Sequence, residues 1–162
     1  MERTRTFNWQ NPLDGAQKAT TMSGMEYLQA MNKGDIALPP LLHTLDFVVH
    51  ETEPGEVIFG FTPQEFHYNP IGTVHGGVIS AILDSAMGCS LHTLLEAGTG
   101  YTTLELKVNF IKAITIQTGP VRAIGKVINQ GGRTALTEAK LVDANGKLLA
   151  HATSTCLILK HK

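Results

Sequence analysis

Asp84 is the residue whose sequence neighbourhood most strongly indicates chemistry. It is the only acidic residue in segment 66–95, it lies in a mostly apolar run, and no Lys or Arg occurs over residues 34–106. A carboxylate buried without a partner is costly or has a raised pKa. We therefore expect the function of the chain to use Asp84. The alternative is that it only hydrogen-bonds Ser80, Ser85 or a backbone amide.

The residues Thr73-Val74-His75-Gly76-Gly77, at the start of the same apolar run, could polarise a carbonyl group. If a helix starts here, its first turn has free N–H groups and the positive end of the helix dipole. Glycine lets a substrate oxygen approach those N–H groups. One such donor, aimed at an oxyanion, lowers an activation barrier by about 2.7 to 4 kcal/mol. The pattern predicts an oxyanion hole, with close packing of the helix on a sheet as the alternative.

The spacing of these two features predicts a dimer. Asp84 follows Gly76 by eight residues, which a helical rise of about 1.5 Å per residue converts into about 12 Å. Both groups would have to lie within about 3 Å of one reacting group. If both serve one reaction, a single chain cannot complete the site. A twofold axis between antiparallel central helices would bring the glycine of one chain to the acid of the other, giving two equivalent sites.

Two further polar residues lie near these features in the sequence. Thr102 begins a row of alternate, otherwise apolar residues that ends at Phe110, and we expect this row to face inward. Its hydroxyl would orient a water molecule or only hydrogen-bond the helix. Asn69 lies six residues before His75 in a predicted turn, where an amide is commonplace.

The elements that must position these residues are one long helix and several antiparallel strands. Residues 74–95 are long enough for a helix, lack strand alternation and are apolar around most of the circumference, so other elements should cover this helix on nearly all sides. A shorter helix is predicted from Met25 to Ile36, closed by Gly34 and by Pro39-Pro40. Alternation and turn residues predict strands over 45–50, 57–61, 101–111, 121–130, 133–143 and 148–159. This order favours an α+β fold over a parallel βαβ fold.

Length and composition limit the classes of protein that the chain can be. Its 162 residues, 43% of them hydrophobic, fit one domain over residues 23–162 after a flexible leader over residues 1–22. Two cysteines are too few for a disulfide framework, and we expect reduced thiols. There is no secretory signal and no apolar run that could span a membrane. We therefore expect a cytoplasmic protein, with a mitochondrial presequence as a minor alternative.

Charge is distributed unevenly along the chain. The net charge is −1, which argues against a nucleic-acid partner held by phosphate neutralisation. Residues 1–33, 34–106 and 107–162 carry +1, −9 and +7. The basic C-terminal third could attract a polyanionic small ligand, or the opposite charges could simply meet when the segments pack.

Taken together, these residues resemble one family. The motif Asn69-x-x-Gly72-x-x-His75-Gly76-Gly77, the acid Asp84, the strand Thr102 to Phe110 and the later Gly132-Arg133-Thr134 are similar to the hotdog-fold thioesterases of the phenylacetate-degradation (PaaI-like) type. The similarity covers roughly residues 40–159. It implies about six antiparallel strands wrapped around a long helix, dimers and often tetramers, and hydrolysis of acyl-CoA thioesters without a metal or organic cofactor.

The resemblance also implies roles for individual residues. Asp84 would activate water or attack the thioester, and the Gly76 amide would polarise its carbonyl. Asn69 would help to place the carbonyl or water, His75 would assist at the thioester, and Thr102 would position water. Substrate would also contact Gly77, and its CoA arm would lie near Gly132 and Arg133.

Three other functions are compatible with parts of this pattern. The first is an acyl-CoA binding or sensing module without activity, which the presence of Asp84 disfavours. The second is a hotdog hydratase or dehydratase, which usually pairs a catalytic histidine with its acid at a different spacing. The third is a metal site at His67 and His75, for which no third ligand follows at a familiar interval.

Overall fold

The computed structural model describes residues 1–160, and within them one sheet wraps around one long helix. The helices are α1 (Pro12–Ala19), α2 (Gly24–Lys33), α3 (Pro40–Leu45) and α4 (Gly76–His92). The strands are β1 (Val48–Glu53), β2 (Glu56–Phe61), β3 (Thr99–Phe110), β4 (Val121–Gln130), β5 (Thr134–Asp143) and β6 (Leu148–Lys160). The six strands are antiparallel, in the order β1-β2-β4-β5-β6-β3. The α+β prediction is confirmed.

The α4 helix is the centre of the core. It packs on β2 to β6, and its buried residues include Ile82, Leu83 and Met87. On the sheet side, β4 comes closest at Gly125, where a β-carbon would collide with the backbone of Ala86. A helix that is apolar around most of its circumference is stable in this enclosure because few of its side chains meet water.

The N-terminal segments contain structure that the sequence pattern does not indicate. Residues 1–22, predicted as a leader, include α1, whose buried Gly15 lies under Tyr27 of α2. Upstream, Arg5 donates hydrogen bonds to the carbonyl oxygens of His43 and Thr44. The division into leader and domain stays a prediction, and residues 161–162 of the predicted domain lie outside the described part of the chain.

The strand predicted to begin at Leu45 begins later. Pro40 to Leu45 form α3, with Pro40 in its first turn, and Asp46 ends this helix with a φ of 53°. Proline is favoured at the first helical position because it has no N–H to leave unbonded. The Pro39-Pro40 pair therefore starts a new helix as well as following α2, and the strand runs from Val48.

None of the helices within residues 1–160 is both long and apolar enough to cross a membrane. Cys89 and Cys156 are free thiols. The cytoplasmic location stays a prediction.

Some of the opposite charges of the acidic middle segment and the basic C-terminal third do meet, since Lys126 of β4 pairs with Glu56 of β2 at 2.7 Å.

We predict that buried His67 makes stability depend on pH. Its Nδ1 accepts from the Gln64 N–H at 3.0 Å, and its Nε2 lies 2.9 Å from the Leu45 carbonyl oxygen, so the neutral ring fits both partners. Burial lowers the pKa of His67 from its ordinary value of 6.5. The unfolded chain therefore binds this proton first as pH falls, and the stability is lost between pH 6.5 and the lower folded-state pKa.

The measurement is urea unfolding of the wild type and of His67→Gln. The wild type should be the more stable protein at pH 7.5, and its advantage should shrink by up to about 1 kcal/mol per pH unit below 6.5. An equal stability difference at pH 7.5 and pH 5.5 would contradict this role for His67.

Candidate functional site

The α4 helix begins at the glycine pair, with His75 as its N-cap. The His75 Nδ1 accepts a hydrogen bond from the Gly77 N–H at 2.8 Å, so in the neutral ring the proton is on Nε2. Within residues 1–160, the Gly76 N–H has no hydrogen-bond acceptor. The half-buried Gly76 thus keeps a free donor at the positive end of the helix.

Gly76 also allows close packing of the helix on the sheet, which was the alternative explanation of the glycine pair. A β-carbon at this position would lie 3.2 Å from the Cζ atom of Phe110, on β3. The glycine therefore allows close approach of the helix and the strand while it leaves its N–H free. The two interpretations of His-Gly-Gly are compatible.

Asn69 builds the turn that leads into α4. Its side-chain oxygen accepts from the N–H groups of Ile71 and Thr73, both at 3.1 Å, and its amide donates to the Thr73 hydroxyl at 2.9 Å. The backbone N–H of His75 donates to the carbonyl oxygen of His67 at 2.8 Å. These bonds fix the position of the helix start, and Asn69 acts there as a positioning residue.

Asp84 lies half-buried in the middle of α4. Its Oδ1 accepts a hydrogen bond of 2.9 Å from the Thr103 hydroxyl of β3. Ser85, one of the two expected serine partners, instead donates its hydroxyl to the Ala81 carbonyl oxygen. Among residues 1–160, the carboxylate is held by one neutral donor, and its other oxygen remains available.

The prediction that Thr102 faces inward is wrong. Thr102 is exposed and pairs with Leu157, whereas Tyr101 and Thr103 on either side of it face the helix. A β-bulge between Thr103 and Glu105 adds one residue to the strand, and a bulge reverses the alternation on one side of itself. The same bulge leaves Leu104 57% exposed.

Thr103, which contacts Asp84, was therefore not predicted. Counting alternate residues back from the apolar end of β3, as in the prediction, reaches Thr102. Because Thr102 and Thr103 are the same residue type, each face of the strand receives a hydroxyl. The alternation of residue types therefore gives no sign of the bulge.

Gly76 and Asp84 lie on the same uninterrupted helix, about 12 Å apart along its axis. Since both are on α4, no bending of a loop brings them to one reacting group within a chain. Next to them, β3 is an edge of the sheet. Phe110 and Leu104 of this strand are exposed by 56% and 57%. This face of the site is open.

Gly132 and Arg133 lie far from the glycine pair of their own chain. They form the exposed β4–β5 turn, and Gly132 lines a cavity of about 300 Å³ together with Leu94 and Leu95, beyond the end of α4. The length of α4 separates this turn from Gly76, about 24 Å for its 17 residues. Within one chain, the structure does not bring the Gly132-Arg133 turn close to the glycine pair at the start of α4.

The thiols near Asp84 are poor candidates for a nucleophile. Burial raises the pKa of Cys89 to about 12, and burial also raises the pKa of Cys156. Both side chains therefore stay protonated near neutral pH, whereas the thiolate is the reactive form.

His67, one of the two histidines of the alternative metal site, is poorly suited to bind a metal ion. Both ring nitrogens of His67 have protein partners, Gln64 and Leu45. Within residues 1–160, no group of three or more His, Cys, Asp or Glu side chains could hold a metal ion.

Comparisons with known proteins agree on one family. A model of the thioesterase superfamily matches residues 71–150. A Saccharolobus solfataricus protein described as an esterase is 32% identical over 118 residues, which are 73% of this chain and 82% of that protein. Human acyl-coenzyme A thioesterase 13 is 29% identical over 103 residues, 63% of this chain and 72% of that protein.

Solved structures give the same result for the fold. The crystal structure of a phenylacetic acid degradation-related protein from Ralstonia eutropha JMP134 superimposes with a TM-score of 0.73 and 27% sequence identity. The match covers 80% of this chain and 97% of that chain. The hotdog architecture implied by the sequence motifs is confirmed.

Proposed function

The chain belongs to the thioesterase superfamily and is a thioester hydrolase, and we propose that it cleaves acyl-CoA at sites shared by two subunits. The observation that carries this proposal is the Asp84 carboxylate, held by Thr103 at 2.9 Å on the same helix as the free Gly76 N–H. A base and a carbonyl-polarising donor are what hydrolysis of a thioester needs. The protein supplies both, so the proposed reaction uses no metal or organic cofactor.

Asp84 acts in the ionised form, as a general base or as the nucleophile. As a base, it removes a proton from water while the water oxygen bonds to the thioester carbon. The carbonyl oxygen becomes an oxyanion, which the Gly76 N–H of the partner subunit stabilises. When the carbon–sulfur bond breaks, the proton held by Asp84 passes to the CoA sulfur. The products are a carboxylic acid and free CoA.

The neighbouring residues position these groups. Thr103, and not Thr102, makes the hydrogen bond to the helix, and its hydroxyl orients the Asp84 carboxylate. His75 caps the helix through Nδ1 and leaves Nε2 to assist at the thioester. The Gly77 N–H is occupied by His75, so Gly77 contributes to substrate binding only through its small size.

We propose two subunits because the edge strand beside the site, β3, has one side without a neighbouring strand in the described sheet. The edge strand β3 is 12 residues long, and Leu104 and Phe110 along it are exposed by more than half. A long edge with exposed apolar side chains tends to pair with another chain. A twofold axis at this edge places the two α4 helices antiparallel. A tetramer built from such dimers stays a prediction.

With the helices antiparallel, we also propose a direction for the CoA arm. Because the two helices run in opposite directions, the partner's α4 extends from Asp84 toward the N-terminal end of the first subunit's α4. It therefore extends away from the C-terminal end of the first subunit's α4. Arg133 of the partner subunit would then lie on the opposite side of Asp84 from Gly88. An exposed guanidinium on the basic C-terminal third suits the phosphates of CoA.

Replacing Asp84 with asparagine should lower kcat for acyl-CoA hydrolysis by about 10²- to 10⁴-fold, because the amide cannot take up a proton. The amide oxygen can still accept from Thr103, so the fold should persist. Free CoA thiol released from a panel of aromatic and aliphatic acyl-CoA substrates gives the rate, and urea unfolding checks the fold. Full activity in Asp84→Asn would refute the proposed role. Tight acyl-CoA binding by a wild-type protein without turnover would instead favour the binding module.

The two adjacent threonines provide a matched pair. Thr103→Val removes the hydrogen bond to Asp84 and should lower kcat about tenfold, as expected for a hydrogen bond to a charged group. Thr102→Val removes an exposed hydroxyl on the opposite face and should change kcat less than twofold, about the effect of a surface substitution. Circular dichroism should show the same fold in both variants. The reverse order of effects would restore Thr102 as the functional residue.

Gly76→Pro should remove the proposed oxyanion donor while it keeps the helix. Gly76 is the first helical residue, where proline is favoured, and His75 has the extended φ and ψ of −62° and 136° that a residue before proline requires. Gly76→Ala adds a β-carbon beside Phe110 and keeps the N–H. The proline variant should be about 10²- to 10³-fold less active than the alanine variant.

Mixing inactive chains then tests the shared site. Chains with Asp84→Asn and chains with Gly76→Pro are unfolded together and refolded at equal concentrations. Random pairing should restore about one quarter of the wild-type activity, because each mixed dimer has one intact site. If each site belonged to one chain, the mixture would stay inactive.

A further inference from the structure

Beyond Asp84, the next position on the same helix face is a glycine covered by a tyrosine. Gly88 lies one turn after Asp84, and a β-carbon there would be 2.5 Å from the Tyr101 hydroxyl oxygen and 2.7 Å from its Cε2. Tyr101 and Thr103 lie two residues apart on β3 and face α4 together. The aromatic ring thus occupies the space that a side chain at position 88 would fill, directly beside the carboxylate.

A cleft lies on the far side of this tyrosine. Its volume is about 210 Å³, and most of its lining residues are small. They are Ala16, Ala19 and Thr20 from the region of α1, His92 from α4, and Gly98, Thr99, Gly100 and Tyr101 from the start of β3. Asp84 does not line it.

Two elements independently place Tyr101 between Asp84 and the cleft. Along α4, Asp84 is followed by Gly88 and then by His92, at intervals of one helical turn. Along β3 in reverse, Thr103 is followed by Tyr101 and then by Thr99. Thr103 bonds Asp84, Tyr101 covers Gly88, and Thr99 and His92 both line the cleft.

The surroundings of Tyr101 suit an apolar group rather than the CoA arm. The ring packs with a buried cluster that includes Leu91, Leu95 and Cys156, and it lies 5.7 Å from the His92 ring. In the other direction from Asp84, the same helix face carries Ser80 and Gly77. The acyl arm of a thioester held at Asp84 therefore gains most by extending toward Gly88.

We propose that Tyr101 sets the length of the acyl group that this thioesterase accepts, by closing the acyl pocket before the cleft beneath α1. This inference rests on the proposed function. It makes short or compact acyl-CoA the preferred substrates. Removing the ring would join the pocket to the cleft, whose volume holds several methylene groups.

The test measures kcat/KM for a series of straight-chain acyl-CoA substrates, from acetyl-CoA to palmitoyl-CoA. Wild type should lose activity once the chain reaches Tyr101. Tyr101→Val should extend the preferred length, with about a fourfold gain in kcat/KM for each methylene that enters the cleft. Tyr101→Leu should give a smaller extension and serves as the second variant if the valine variant does not fold.

Two further variants make the result specific. Ala19 lines the cleft from α1, so adding Ala19→Leu to Tyr101→Val should refill the space and restore the short-chain preference. Tyr27→Val is the matched control, since Tyr27 also packs on His92, with ring centroids 5.6 Å apart, but does not line the cleft. It should leave the chain-length profile as in wild type.

The outcomes separate this inference from the proposed function. If wild type cleaves acyl-CoA and both Tyr101 variants fold with an unchanged profile, Tyr101 is not the determinant and the proposed function stands. A wild-type protein that cleaves palmitoyl-CoA as well as short substrates also overturns the inference alone. If wild type cleaves no acyl-CoA, both fail.

Discussion

The rigidity of a single helix is the constraint on which the arrangement of the site depends. A continuous α-helix fixes the distance between residues eight apart at about 12 Å, and α4 runs without interruption through Gly76 and Asp84. Neither group can approach the other through a loop movement. The donor at the helix start is a backbone N–H, which needs no side chain. The acid lies in the middle of the helix, where a hydroxyl of the sheet orients it. A second helix in the opposite direction is the simplest way to unite the two.

The sheet makes this helix stable and also determines which of its faces is functional. The strands β2, β4 and β5 cover the apolar side of α4, where residues such as Leu83 and Met87 are fully buried. The side toward β3 instead carries Gly76, Asp84 and Gly88. Small and polar residues cost stability in a core, but β3 is an edge strand, and this side is therefore the one that a substrate or a second subunit can reach.

Most of the fold follows from local patterns, and the part of the site that does not follow comes from a single inserted residue. The predicted and observed limits of β4 coincide, and those of α4 and β6 differ by a few residues, because strong periodicity and glycine turns determine them. For the site, the pattern identified Asp84 and the helix start, but not Thr103. A β-bulge arises from the pairing with a neighbouring strand, so the sequence of β3 alone contains no sign of it. The helices α1 and α3 were missed for a related reason, since short helices are stabilised mainly by what they pack against.

The bulge connects the proposed catalytic site to the proposed determinant of acyl length. It turns Thr103 and Tyr101, which precede it, toward α4, and the residues after it, such as Leu106, toward the core. One irregularity thus orients the hydroxyl on the carboxylate and places the ring on Gly88. Without the bulge, and with the pairing of the C-terminal part of β3 unchanged, both side chains would turn outward together. The hydrogen bond from Thr103 to Asp84 and the packing of the Tyr101 ring on Gly88 therefore both depend on the pairing of β3 with β6.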